Sequence, residues 1–124
     1  MRLIIAGSRN IPIERCWLYI VAACREIQPT QVISGHCEGV DRAGEVWARK
    51  HGMEPVVMEV TREEWRDCAR AGMPGAAGPI RNGRMVAVAD GLLVIMHPDS
   101  RGSADVLRQA KRAELRIWQV ILPR

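Results

Sequence analysis

The chain has 124 residues, enough for one domain with a sizeable core and too few for two. Hydrophobic residues make up 48% and charged residues 26%, a composition that excludes disorder and predicts a globular, soluble protein. The net charge of +4 is scattered, and with no Phe and a single Tyr the aromatic platforms for single-stranded bases are scarce; an anionic small molecule suits this balance better than nucleic acid.

Arg2 to Ala6 reads as a continuous apolar strand, broken by Gly7-Ser8-Arg9-Asn10. Pro12 then sits where a helix can begin, with Trp17, Ile20, Val21 and Cys24 as its buried stripe. Val32 and Ile33 end a second strand. Gly35 and Gly39 bracket the turn that follows, and Val40, Ala43, Gly44, Trp47 and Ala48 recur on one face of a helix that stops at Gly52. Pro55 to Met58 forms a third strand. Thr61-x-x-Glu64 has the pattern of a capping box for a short helix carrying Trp65, and Gly72, Pro74, Gly75 and Gly78 mark a mobile connection. Pro79 restarts a helix to about Asp90, Leu92 to Met96 is a fourth strand, and His97 to Ser103 is a loop. Val106, Leu107, Ala110 and Ala113 line the last helix, and Arg116 to Leu122 closes with a fifth strand.

Strands without alternation, separated by helices, imply an α/β fold: a Rossmann-like three-layer sandwich whose five-stranded parallel sheet is covered on both faces. Residues 1–124 are expected to form one domain. In such a sheet the strand-to-helix connections gather along the carboxyl edge, where a crevice opens at the point of order reversal. Four segments meet there: Gly7-Ser8-Arg9, Gly35 to Asp41, Ala77 to Asn82 and Ser100 to Asp105. The glycine turn before Val40 is either a phosphate loop, with backbone N–H groups from Glu38 to Asp41 at the helix start, or only a turn. No apolar run approaches bilayer length, and no basic region precedes a cleavable apolar segment, so a cytoplasmic protein without membrane contact is expected. The four cysteines include no C-x-x-C pair, and reduced thiols are the default. His36 and Cys37 are adjacent with no partner pair nearby, which argues against a metal site.

Gly7-Ser8-Arg9, Ser34-Gly35-x-x-x-Gly39-Val40-Asp41, Trp65 followed by Ala76-Ala77-Gly78-Pro79-Ile80-Arg81-Asn82, and Ser100-x-Gly102-Ser103-Ala104-Asp105 together resemble the successive motifs of the YspA-type, YpsA-related branch of the SLOG superfamily. The resemblance covers nearly the whole chain, and the Ala-Gly-Pro-x-Arg-Asn run is its most specific part. It implies a Rossmann-like domain, with strand order 3-2-1-4-5, binding a nucleotide or a nucleotide-derived ligand such as an ADP-ribose-like signal. Other members of the superfamily are the LONELY GUY phosphoribohydrolases, which release a base from a nucleotide, and the DNA-processing protein A family, which binds single-stranded DNA. In the phosphoribohydrolases the last glycine loop continues to a catalytic glutamate. Here Val106 holds that position and Asp105 falls one place short, a rotation of roughly 100° on a helix.

The ligand-binding candidates are therefore Gly7, Ser8, Arg9, Ser34, Gly35, Gly39, Val40, Asp41, Arg81, Asn82, Ser100, Gly102 and Ser103. Arg81 is placed to pair bidentately with a phosphate, with Arg9 and Arg101 as the other cations. Asn82 either reads a base edge or fixes its loop. Asp41 either caps the turn or accepts from a ribose hydroxyl. Asp41, Glu45 and Asp105 are the carboxylates to weigh for catalysis, with Asp99 beside them, although Glu45 and Arg49 have the spacing of an ordinary i, i+4 surface pair. Trp17, Trp47 and Trp118 are expected in the core; Trp65 either closes over a base or anchors its loop. No cofactor or metal is expected, and monomer and homodimer are both open. The leading expectation is a binding or sensing module for a phosphorylated nucleoside derivative, the alternative a hydrolase of its N-glycosidic or phosphate bond, and the third a single-stranded nucleic-acid binder.

Overall fold

The computed structural model describes residues 1–124. Strands β1 (Arg2–Gly7), β2 (Gln31–Ser34), β3 (Val56–Val57), β4 (Gly91–Met96) and β5 (Arg116–Ile121) form one sheet in the order β3-β2-β1-β4-β5. Every pairing is parallel, with Ile4 opposite Ile33 on one side and Leu92 on the other. Parallel neighbours need long crossovers, and helices α1 (Ile13–Ile27), α2 (Val40–Lys50), α4 (Ala77–Val88) and α5 (Arg101–Arg112) supply them. The short helix α3 (Arg62–Arg70) lies on the way from β3 to α4.

Side chains alternate across the sheet, so the central strands feed two cores. Leu3, Ile5, Leu93 and Ile95 pack with Cys16, Ile20, Val40 and Trp47 of α1 and α2. Ile4, Ala6, Leu92 and Val94 pack with Met85, Val86, Val106 and Leu107 of α4 and α5. Burial on both faces explains why β1 and β4 read as unbroken apolar runs.

The element borders depart from the sequence expectation where tertiary partners decide. β3 is only two residues long, because Val57 is exposed at a sheet edge and has no second strand to pair with. Helix α4 starts at Ala77, after a 3-10 turn at Pro74–Ala76, and ends at Val88. Helix α5 starts at Arg101, inside the stretch expected to be loop. Trp47 is in the core as expected, but Trp17 and Trp118 are only partly buried against it, and Trp65 is exposed. The capping box forms: Thr61 Oγ1 accepts from Glu64 N at 3.0 Å, and Thr61 N donates to Glu64 Oε1 at 2.8 Å. Such a cap stabilises a helix by about 1 kcal/mol.

Candidate functional site

Crossovers from β1 run through β2 to β3 on one side, and the chain then returns to β4 on the other side of β1. The carboxyl ends of β1 and β4 thus diverge, and a cavity of about 330 Å³ lies there, within the range of small-molecule sites. Its wall includes Gly7, Ser8, Arg9, Asn10, Cys37 and Asp41 from one side. Gly78, Arg81, Asn82, Ser100, Gly102, Ser103 and Arg124 close the other.

The loop after β1 is held to β4. Ser8 N donates to Ile95 O at 3.1 Å, and Ser8 Oγ accepts from His97 N at 2.9 Å. His97 is buried, and its Nδ1 donates to Leu122 O at 2.8 Å, tying the end of β4 to the end of β5. Gly7 tolerates no side chain, since an added Cβ would stand 2.0 Å from Ile95 O and 2.7 Å from Val40.

The start of α5 brings an open donor group to the cavity. Ala104 N reaches Ser100 O, but the N–H groups of Arg101, Gly102 and Ser103 find no acceptor in the chain. Ser100, the residue before the helix, does not cap it; its hydroxyl donates instead to Ser103 Oγ at 2.9 Å. The first turn of a helix with free N–H groups carries partial positive charge, which favours an anion. A Cβ on Gly102 would meet nothing within 4 Å, so the approach is clear. Arg9 makes no hydrogen bond to the protein and lines the same space, while Arg124 is paired with Asp99 at 2.9 Å.

The glycines of the loop before α2 pack against the protein. Gly39 has φ 78°, and an added Cβ would lie 2.6 to 2.9 Å from the carbonyl oxygens of Ser8, Arg9 and Ile11. Gly39 therefore permits a close approach of two backbone loops, while the N–H groups of Glu38, Gly39, Val40 and Asp41 find no acceptor in the chain. Gly35 makes room for Arg81, whose Nη1 donates to Gly35 O at 2.7 Å. Ser34 and Val40 are fully buried, Ser34 within the protein interior and Val40 against Gly7. None of Ser34, Gly35, Gly39 and Val40 reaches the cavity wall.

Arg81 is also not a free clamp. It is buried, and its Nε donates to Asn82 Oδ1 at 3.0 Å and its Nη2 approaches Cys37 Sγ at 3.8 Å. Asn82 in turn donates to Asp105 Oδ2 at 2.9 Å, so it fixes α4 against α5. Asp105 receives Arg108 and Gln109 as well and stays outside the cavity, which removes it as a poised acid or base. Arg101 is exposed and does not line the cavity.

Glu45, expected to pair at the surface with Arg49, is 1% exposed. Arg49 does reach it at 3.8 Å, but Ser34 Oγ donates to Glu45 Oε2 at 2.7 Å and His36 Nδ1 lies 2.8 Å from the same oxygen. The i, i+4 spacing to Arg49 suggests a surface pair, whereas Ser34 and His36, which precede the helix, make burial of the carboxylate tolerable. These bonds also hold His36 at φ 63°, a left-handed conformation that costs a non-glycine residue about 1–3 kcal/mol.

Asp41 is the one carboxylate in the cavity wall. Its Oδ1 accepts from Gly7 N at 3.3 Å and its Oδ2 from Cys37 N at 3.2 Å, which bridges the loops after β1 and β2. Burial pushes its carboxyl up to about 6, against the Cys37 amide, the Arg81 charge and the Gly7 amide, while Glu45 adds to the rise. Cys37 and Arg124 line the cavity without being binding candidates from the sequence: Cys37 lies in the segment expected at this edge, and nothing in the sequence brings Arg124 there. No three His, Cys, Asp or Glu side chains converge on a metal-sized site.

A parallel sheet in this order, with a donor-rich cavity at the switch point, defines a Rossmann-like α/β domain. The same fold occurs in the X-ray structure of DNA processing protein A (DprA) from Streptococcus pneumoniae, with a TM-score of 0.72 over 95% of this chain. Identity is 16%, so the likeness is one of fold alone, and the chain spans about half (49%) of that protein's length. No protein-family model and no curated protein sequence matches the chain. No helix is long and apolar enough to cross a membrane.

Proposed function

We propose that residues 1–124 form a ligand-binding domain for a nucleotide or nucleotide-derived small molecule, a nucleoside phosphate or an ADP-ribose-like compound, in the manner of the YspA-type branch of the SLOG superfamily. The observation that carries this is the first turn of α5: the N–H groups of Gly102 and Ser103, both in the wall of the switch-point cavity, and of Arg101 just before them have no acceptors. A phosphate or pyrophosphate seats there, with Arg9 as the unpaired cation. Arg81 contributes field and holds the loop, since its own donors are engaged. The test is a thermal-shift and calorimetric screen with AMP, ADP-ribose and adenosine. Ligand at about a hundred times its dissociation constant stabilises by roughly 2.7 kcal/mol. Stabilisation by the phosphorylated ligands and not by adenosine supports an anion site; equal response to all three, or to none, refutes it.

A hydrolytic reading has one observation in its favour, the placement of Asp41 in the cavity with a carboxyl near 6, suited to general acid or base work. Both its oxygens are engaged by backbone amides, so binding without turnover is the preferred outcome, and free base released from AMP or ADP-ribose would reverse that preference. Nucleic-acid binding draws support from the fold shared with a DNA processing protein A and from Trp65, which is 53% exposed. Affinity for single-stranded DNA that falls steeply with salt would favour it.

A further inference from the structure

We propose that Asp41 links occupancy of the cavity to protonation, so that an anion seated beside it enters together with one proton taken from solvent. This rests on the cavity being an anion site. Asp41 is 4% exposed and is the single acidic side chain of the wall; the other charged groups there are Arg9, Arg81 and Arg124. No arginine pairs with it within 4.0 Å, because Arg81 spends its donors on Gly35, Asn82 and Cys37. The ionised form thus rests on two amide hydrogens at 3.3 and 3.2 Å.

The groups that face Asp41 are few. On α2 there is Glu45, one turn further on, held by Ser34 and His36. From the loop after β2 comes Cys37, through its backbone amide and with its thiol against Arg81, from α4 Arg81, and from the loop after β1 Arg9 in the same cavity wall. The start of α5 offers only the uncharged Ser100 and Ser103. A phosphate at the start of α5 adds a second negative charge to the cavity whose wall holds this carboxyl, already lifted by burial and by Glu45. Like charges sharing a site raise the affinity for a proton, so the bound complex holds one that the free protein near neutral pH does not. By linkage the ligand is bound more tightly as pH falls.

The probe is ADP-ribose, whose phosphates complete their ionisation well below the range used. Calorimetry of the wild-type chain from about pH 5.5 to about pH 8, in buffers of different ionisation enthalpy, reads the proton count; the association constant is expected to fall by up to about tenfold per pH unit at its steepest. Asp41→Asn should flatten the profile and abolish the buffer dependence, while His36→Gln should keep both. An asparagine turns an NH2 toward one of the two amides and can unfold the loop. A carbon-13 carboxyl titration of the wild type is therefore the second measurement, and the Asp41 resonance should titrate at higher pH with ADP-ribose than without. Binding with no proton uptake, or uptake lost in His36→Gln, overturns the inference and leaves the anion site standing. No binding of ADP-ribose at any pH removes the anion site and the inference with it.

Discussion

Gly102 offers the sharpest test of the anion site, because a charge can be placed there without disturbing the fold. It is the second residue of α5, its φ lies outside the left-handed range, and an added Cβ meets nothing within 4 Å. Gly102→Asp puts a carboxylate in the first turn of a 12-residue helix, where it should stabilise the fold by about 0.3–1 kcal/mol. For a ligand phosphate on the free N–H groups the same carboxylate is a like charge about 5 Å away. At an effective dielectric of about 20 this repulsion is about 3 kcal/mol, or roughly a hundredfold loss of affinity. Urea denaturation checks the first number and calorimetry with ADP-ribose the second. Gly102→Asn, nearly the same shape without the charge, should retain most of the affinity. Wild-type affinity in a folded Gly102→Asp protein refutes phosphate placement at this helix; equal loss in both variants assigns the effect to shape.

Gly39→Val should destabilise the domain by about 2 kcal/mol or more, since it adds a branched side chain at φ 78° against three carbonyl oxygens; a chemical denaturation midpoint equal to wild type would count against this packing. The Asp41 carboxyl, lifted from 3.8 to about 6, favours folding fully below its unfolded value, and that contribution is lost as pH rises through about 6. The stability of wild type relative to Asp41→Asn should therefore fall by up to about 3 kcal/mol between about pH 3 and about pH 7, and a constant difference would show that burial does not act on this group. Of the four free cysteines, Cys37 alone is not buried, and burial pushes the Cys24 thiol up to about 12. Alkylation of the native protein followed by mass spectrometry should label Cys37 first and Cys24 only after unfolding; early labelling of Cys24 would contradict the core assignment.

The amino-acid sequence by itself determined the layers. Unbroken apolar strands such as Leu92 to Met96 are stable only when covered on both faces, and helices of matching period, such as that through Val40, Ala43 and Trp47, are the covering they require. The same reasoning carried the gathering of Gly7, Ser8, Arg9, Ser100, Gly102 and Ser103 along one edge, because parallel order places every strand-to-helix loop there. The direction of each loop's polar groups was decided only by tertiary structure. The turn at Gly39 reads alike as a phosphate loop or a plain turn, and only the fold brings the carbonyls of the loop after β1 against its Cα. Arg81 looked like a clamp, yet the carbonyl of Gly35, 46 residues away in sequence, takes its Nη1. Asp41 and Glu45 sit one turn apart on one helix, and period alone treats them alike. Asp41 faces the cavity with two amides, while Glu45 is sealed behind it by Ser34 and His36. Periodicity reports which face of an element is apolar, a local property; whether a polar group on that face is spent or free depends on partners that only the folded chain brings within hydrogen-bonding distance.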